Sequence, residues 1–310
     1  MDIQLKNDYM QCPRCDFEQP AGNVECLRCG IIFTKFEAQF DPDKKLDTRG
    51  EAETEEELFI QDIDKEGWLS MCAGIVPAAL IFLFPFLEYI FHTFATLVHE
   101  FGHTVFGWLF GYPTIPAFDF VYGGGVAVHF ERKPVVLIII YCLFLFLLYT
   151  FRKNYISFIT IIGIILLYSL IAFTRAHEIL ILFMGHGMEL IFAAIFIYRA
   201  ISGSAIKVSA ERPLYAFVGF FTQFCNINFA YKLLKDSEFR TMYEMGKGGF
   251  LANDFVRIAQ DYLQVKLNSI IKFFLFLSFL PPIIAFLAHR YLAYWVSCLN
   301  NLCNTNVKEA

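Results

Sequence analysis

Charge is scarce in this chain. Only 18% of the 310 residues are Asp, Glu, Lys or Arg, against roughly 25% in an ordinary soluble domain. No segment is basic enough to act as a nucleic-acid surface, so nucleic acid is excluded as a partner. The first 30 residues have no apolar run of the 7–15 residues that a cleavable leader needs, so the first apolar helix is expected to serve as the insertion signal. What fills the chain is apolar: 57% of the residues are hydrophobic, including 37 phenylalanines. That excludes disorder and a single water-soluble globule.

Composition divides the chain into three parts. Residues 1–40 hold four of the nine cysteines in a small polar module. Residues 41–67 carry 4 Lys/Arg against 11 Asp/Glu and read as an acidic linker. From residue 68 onward, apolar runs cover about 71–91, 92–111, 134–151, 155–174, 178–200, 212–230 and 269–289. Each is close to the 20 residues a bilayer demands. The expected fold is an all-α polytopic membrane protein of six or seven transmembrane helices over 68–310, headed by a zinc ribbon over 1–40. Pro85, Glu88 and His92 are the punctuation between the first two runs. The polar stretch 231–268, with six Lys/Arg, is expected to flank the membrane on the cytoplasmic side. With seven spans the N-terminus lies on that side too, as in a bacterial inner-membrane protein. The segment 118–130 places two β-prone runs around Gly123-Gly124-Gly125, which predicts a membrane-associated hairpin or else a glycine-rich loop.

Cys12-Pro13-Arg14-Cys15 and Cys26-Leu27-Arg28-Cys29 are two C-x2-C turns. Four thiolates suit a closed, tetrahedral structural zinc, and so short a module needs such a staple to fold. Two disulfides are the alternative, one that a secreted context would favour. A closed site has no open position for chemistry, which leaves the ribbon a docking or regulatory role toward a protein partner. Cys72, Cys142 and Cys225 lie in apolar runs and are expected to be buried. Cys298 and Cys303 are close enough in sequence to suggest a disulfide.

His99-Glu100-Phe101-Gly102-His103 is H-E-x-x-H within an apolar helical run. Positions i and i+4 share a helix face, so both imidazoles can reach one ion, with Glu100 beside them as a base. Ionisable residues inside hydrocarbon are costly and mark a site. A catalytic zinc takes a third protein ligand. His186 or Glu189, one turn apart in Met184-Gly185-His186-Gly187-Met188-Glu189, is the expected source, with Asp119 and Asp254 as outsiders. His92 lies near the same face, and His177 and Glu178 are expected to face headgroups.

The H-E-x-x-H helix, the glycine-rich segment and the further spans resemble the site-2 protease family of intramembrane zinc metallopeptidases over about 71–200. The resemblance implies zinc on His99 and His103, Glu100 as catalytic base and a membrane-protein substrate cut within the bilayer. The family's third ligand is normally an Asp in a motif of Asn, Pro and Leu-Asp-Gly, and this chain has no Leu-Asp-Gly. Two zincs are expected per chain, one catalytic and one structural. The hairpin, at Val121, Tyr122, Gly123 and Gly124, would offer an edge strand to an unwound substrate. A zinc-binding scaffold without activity and a metal-ion transporter are the competing functions.

Overall fold

The computed structural model describes residues 9–12, 15, 17–20, 23–28, 31, 33, 61–119, 124–246 and 252–308. The chain divides into two compact units, 1–57 and 58–310.

In the first unit, β1 (Tyr9–Gln11) pairs antiparallel with β2 (Glu18–Pro20). The side chain of Gln19 is buried and braces the second cysteine turn: Leu27 N–H donates to its Oε1 (2.9 Å), and its Nε2 donates to Glu25 O (3.2 Å). Cys12 and Cys26 are buried beside Phe33.

The second unit is helical. Its long elements are α1 (Lys65–Leu80), α2 (Pro85–Leu109), α3 (Pro134–Thr150), α4 (Tyr155–Ala172), α5 (Ala176–Ser202), α6 (Glu211–Lys235) and α10 (Leu280–Lys308). Between the last two lie α7 (Ser237–Met245), the single turn α8 (Asp254–Arg257), a π-helical turn over Ile258–Tyr262 and α9 (Leu267–Leu277). Local chemistry sets the boundaries. Asp64 caps α1 by accepting from Gly67 N–H (2.7 Å), and Asn154 caps α4 by accepting from Ser157 N–H (3.0 Å). Pro85 opens α2 at its first turn, where a missing N–H costs nothing. It follows a short 3-10 turn over Ile81–Leu83, so the break between the first two apolar runs falls at the proline.

Among the described residues four stretches are long and apolar enough to cross a membrane: Lys65–Leu83, Tyr155–Ala172, Ala176–Ser202 and Leu267–Leu292; Pro134–Thr150 is apolar but shorter. The expected six or seven spans are thus met in part. The long helices α2 and α6 fall outside the four because they carry polar side chains inward. Glu100 and His103 of α2, and Arg212, Thr222, Gln223 and Asn226 of α6, are buried. The helix α5 lies at the centre, packed against α2, α6 and α10, while α1 covers α6. By contrast α3 buries no residue at all.

A two-stranded antiparallel hairpin, β3 (Thr114–Asp119) with β4 (Gly124–His129), packs on α2. It begins four residues before the expected position. Gly124 and Gly125 lie within β4, opposite Asp119 and Phe118, rather than between the strands. Other expectations are corrected. Cys225 is buried, but Cys72 and Cys142 are exposed on outer helix faces. His177 does not face headgroups: it is buried, its Nε2 3.0 Å from the Tyr112 hydroxyl. The side chains of Cys298 and Cys303 lie outside the described residues.

Candidate metal centre

Helix α2 carries His99 and His103 one turn apart, and the α2–α5 contact points them at a single spot. Gly102 makes the approach close: a Cβ there would strike the carbonyl of Met184 on α5. Gly185 of α5 faces the two rings, and a Cβ there would lie 2.6 Å from His99 Nε2 and collide with His103 Nε2. The helices therefore meet through a glycine on each side.

The third member of the cluster is Asp254. Its Oδ2 lies 3.2 Å from His99 Nε2 and 3.1 Å from His103 Nε2, and the two Nε2 atoms are 3.1 Å apart. Each ring's far nitrogen fixes its tautomer. His103 Nδ1 is 2.8 Å from the carbonyl of Ile181, which can only accept, so Nδ1 carries the hydrogen. His99 Nδ1 is 3.0 Å from Glu189 Oε1 and donates to it in the same way. Both Nε2 atoms then present lone pairs to each other and to a carboxylate oxygen. Three electron-pair donors this close are an arrangement that a cation between them would hold together. Ligands about 2.05 Å from a tetrahedral zinc are spaced by about 3.3 Å, so the donor set and its spacing fit zinc.

His186 and Glu189, the expected third ligands, stand on the other side of His99. Glu189 accepts from His99 with one oxygen and lies 3.3 Å from His186 Nδ1 with the other. With His99 they form a second group able to hold a metal, overlapping the first. In that group, however, His99 offers Nδ1, the nitrogen already hydrogen-bonded to Glu189. His186 itself sits in an aromatic box of Phe229, Phe255 and Phe274, with ring centroids 4.7–5.0 Å away.

Asp254 is placed by its neighbours. Phe255 and Ala259 are fully buried, and Val256 and Ile258 nearly so, in a core with Leu182, Ile271 and Phe274. Burying one such phenylalanine contributes on the order of 2 kcal/mol, so the segment is anchored by its apolar face while the aspartate reaches inward. Asn253 Nδ2 donates to Tyr243 O (2.7 Å), tying the segment to α7.

Glu100 is buried at the same level. Gly125 of β4 lies against it, so close that a Cβ there would sit 2.5 Å from Glu100 Cγ. Two cavities flank the cluster and share His99, Glu100, Asn253 and Asp254. One, of about 220 Å³, is bordered by Gly124 and Gly125; the other, of about 120 Å³, by Val126, Ala127 and His129. The strand β4 thus runs past both. His92 lines the larger cavity. Of the expected substrate positions, Gly124 borders that cavity, and Val121, Tyr122 and Gly123 lie outside the described residues.

In the N-terminal unit the sulfurs of Cys12, Cys15 and Cys26 lie within 4.8 Å of one another, and Cys15 Sγ is 3.7 Å from Cys26 Sγ. Thiolates about 2.3 Å from a tetrahedral zinc are about 3.8 Å apart, so this group also fits zinc. Cys29 lies outside the described residues.

No family model matches this chain, and neither the curated proteins nor the solved structures hold a match to it. The site's own geometry therefore carries the functional argument.

Proposed function

We propose that this chain is an intramembrane zinc metallopeptidase whose metal is held by His99, His103 and Asp254, with Glu100 as general base. The observation that carries the reading is the convergence of two lone-pair Nε2 atoms and one carboxylate oxygen at 3.1–3.2 Å beside a buried glutamate. A zinc bound there would supply a Lewis acid and acidify a water ligand. Glu100 takes a proton from the attacking water on a carboxylate oxygen and returns it to the leaving amine nitrogen. Glu189 holds His99 in the tautomer that ligates, His186 holds Glu189, and the carbonyl of Ile181 does the same for His103.

The setting supports cleavage inside a bilayer. Residues 254–259 pack beside Leu182 and His186, near the middle of α5, the longest of the apolar helices. Irregular backbone at that depth is tolerated where it is buried in protein or lines a wet cavity, and this segment does both. A helical substrate hides its carbonyls and must be extended to be cut. The run of β4 along both cavities offers an extended backbone a strand to lie against. The N-terminal cysteine module would hold a second, structural zinc and recruit a protein partner.

Replacing Glu100 with Gln tests the reading. The zinc-loaded full chain in detergent should cleave unfolded casein, and Glu100→Gln should lower the rate at least 100-fold while keeping its zinc. Equal cleavage by the variant would overturn the mechanism. Zinc binding with no cleavage by either protein would leave a metal-binding scaffold as the function.

A further inference from the structure

The wall of the smaller cavity carries a histidine that the reaction above does not use. His129 is the last residue of β4, and its ring stands edge-on to that of His103 with centroids 6.4 Å apart. It lines the cavity together with His99, Glu100, His103, Asp254 and Arg257.

The hydrogen bonds of its neighbour decide what it can offer. Thr114, buried and directly across the hairpin, donates its one hydroxyl hydrogen to the carbonyl of Tyr112 (2.9 Å). Its oxygen lies 2.9 Å from His129 Nδ1. With the hydroxyl hydrogen already placed, that contact needs the hydrogen on Nδ1, and Thr114 accepts. Thr114 is itself fixed, because its carbonyl accepts from the Trp108 indole N–H (2.9 Å). The ring is thus held in one tautomer by a relay of Tyr112, Thr114 and Trp108. Its Nε2 is left as a lone-pair acceptor, and the residue lines the cavity.

A peptide extended along β4 brings unpaired backbone N–H groups to this wall. Arg257 is a donor and cannot receive them, whereas the Asp254 and Glu100 carboxylates are assigned to metal and proton transfer. We propose that His129 is a substrate-contacting residue whose Nε2 accepts a hydrogen bond from a backbone N–H of the extended peptide beside the scissile bond. Thr114 is its positioning residue. The inference rests on the peptidase reading.

The test uses the zinc-loaded full chain in detergent with reduced, carboxymethylated casein as the probe. His129→Phe keeps a flat ring without an acceptor, and His129→Gln places a carbonyl oxygen near the position of Nε2. His129→Phe should raise KM about tenfold with its zinc content unchanged, the scale of one lost hydrogen bond. His129→Gln should recover most of that loss, which a purely structural role for the ring would not allow. Nitrogen-15 spectra of the histidines should show His129 with its hydrogen on Nδ1, and Thr114→Val should remove that signature. Cleavage that Glu100→Gln abolishes but His129→Phe leaves at an unchanged KM would overturn this inference alone. No cleavage by the unaltered chain would overturn the peptidase reading and this inference with it. A His129 found with its hydrogen on Nε2 would overturn it directly.

Discussion

At the residue scale, two glycines two positions apart in α5 do different work, and exchanging each for alanine separates them. Alanine is normally the better helix former by about 1 kcal/mol. At Gly187 the added methyl would meet the flexible thioether of Met184, with Sδ at 2.7 Å and Cε at 3.3 Å, which can swing aside. At Gly185 it would enter the space that His99 and His103 share. The rings have no room to retreat, since their far nitrogens are bonded to Glu189 and Ile181. Gly185→Ala is therefore expected to weaken zinc at this centre at least tenfold, while Gly187→Ala leaves it within a factor of two. Competitive titration with a chelating dye checks both. Equal affinities in the two variants would remove Gly185 from the site. The same reasoning explains why His99 and His103 stood out in the sequence and Asp254 was only an outside candidate. The pair announces itself by helical spacing alone. Asp254 is 151 residues from His103 in sequence and lies in a polar stretch with no helical period linking it to the site. One signal was available: only four aspartates follow Trp68, at 119, 236, 254 and 261, and Asp254 alone precedes a run with four apolar residues in five, Phe255, Val256, Ile258 and Ala259, all of them buried.

At the element scale, the start of α1 is held by a charge as well as a cap. The Asp64 carboxylate accepts from Gly67 N–H and pairs with the buried guanidinium of Arg212 at the start of α6, whose other hydrogens go to the carbonyls of Ala200 and Ile201 at the end of α5. One side chain thus ties three helix ends together. The hydrogen bond from Arg212 is the main cause that lowers the Asp64 pKa below its ordinary value. A depressed carboxylate stabilises the fold above its unfolded pKa of about 3.9, and that stabilisation is lost as pH falls through the lower folded value. Asn caps a helix as well as Asp does, so Asp64→Asn removes the charge and keeps the cap. The variant should melt roughly 2 °C lower at pH 7, because the pair is partly exposed and weakened by solvent. The gap should close below about pH 4. A constant gap from pH 7 to pH 3 in thermal unfolding would show that the charge is not what matters. Element boundaries were legible where such local chemistry sets them, as at Pro85. The hairpin begins four residues earlier than expected and includes Pro116, which cannot donate to a strand ladder. The structure accommodates that proline opposite Ala127 in a two-stranded edge.

At the scale of the whole molecule, the apolar surface and the buried polar cluster require each other. Helices such as α3 present mostly apolar side chains outward, while α2 and α6 collect histidine, carboxylate and amide groups inside. Six or seven spans were expected because apolar runs were counted; among the described residues four stretches qualify, and α2 and α6, with their buried polar side chains, do not. A cation at the proposed centre would stabilise an interior of this kind. Two imidazole lone pairs and a carboxylate facing one another repel, and a shared cation removes that repulsion. Zinc should therefore stabilise the fold by mass action, by about 2.7 kcal/mol at a free concentration 100 times its dissociation constant. Native mass spectrometry of the full chain should count two zincs, with one left in Asp254→Asn and one left in Cys12→Ser. The two variants should differ in what the remaining ion does: adding zinc should raise the melting temperature of the helical unit in Cys12→Ser and leave it unmoved in Asp254→Asn. A melting temperature that rises equally in both would mean that His99, His103 and Asp254 do not form the metal centre, and the assignment of Asp254 would have to be abandoned.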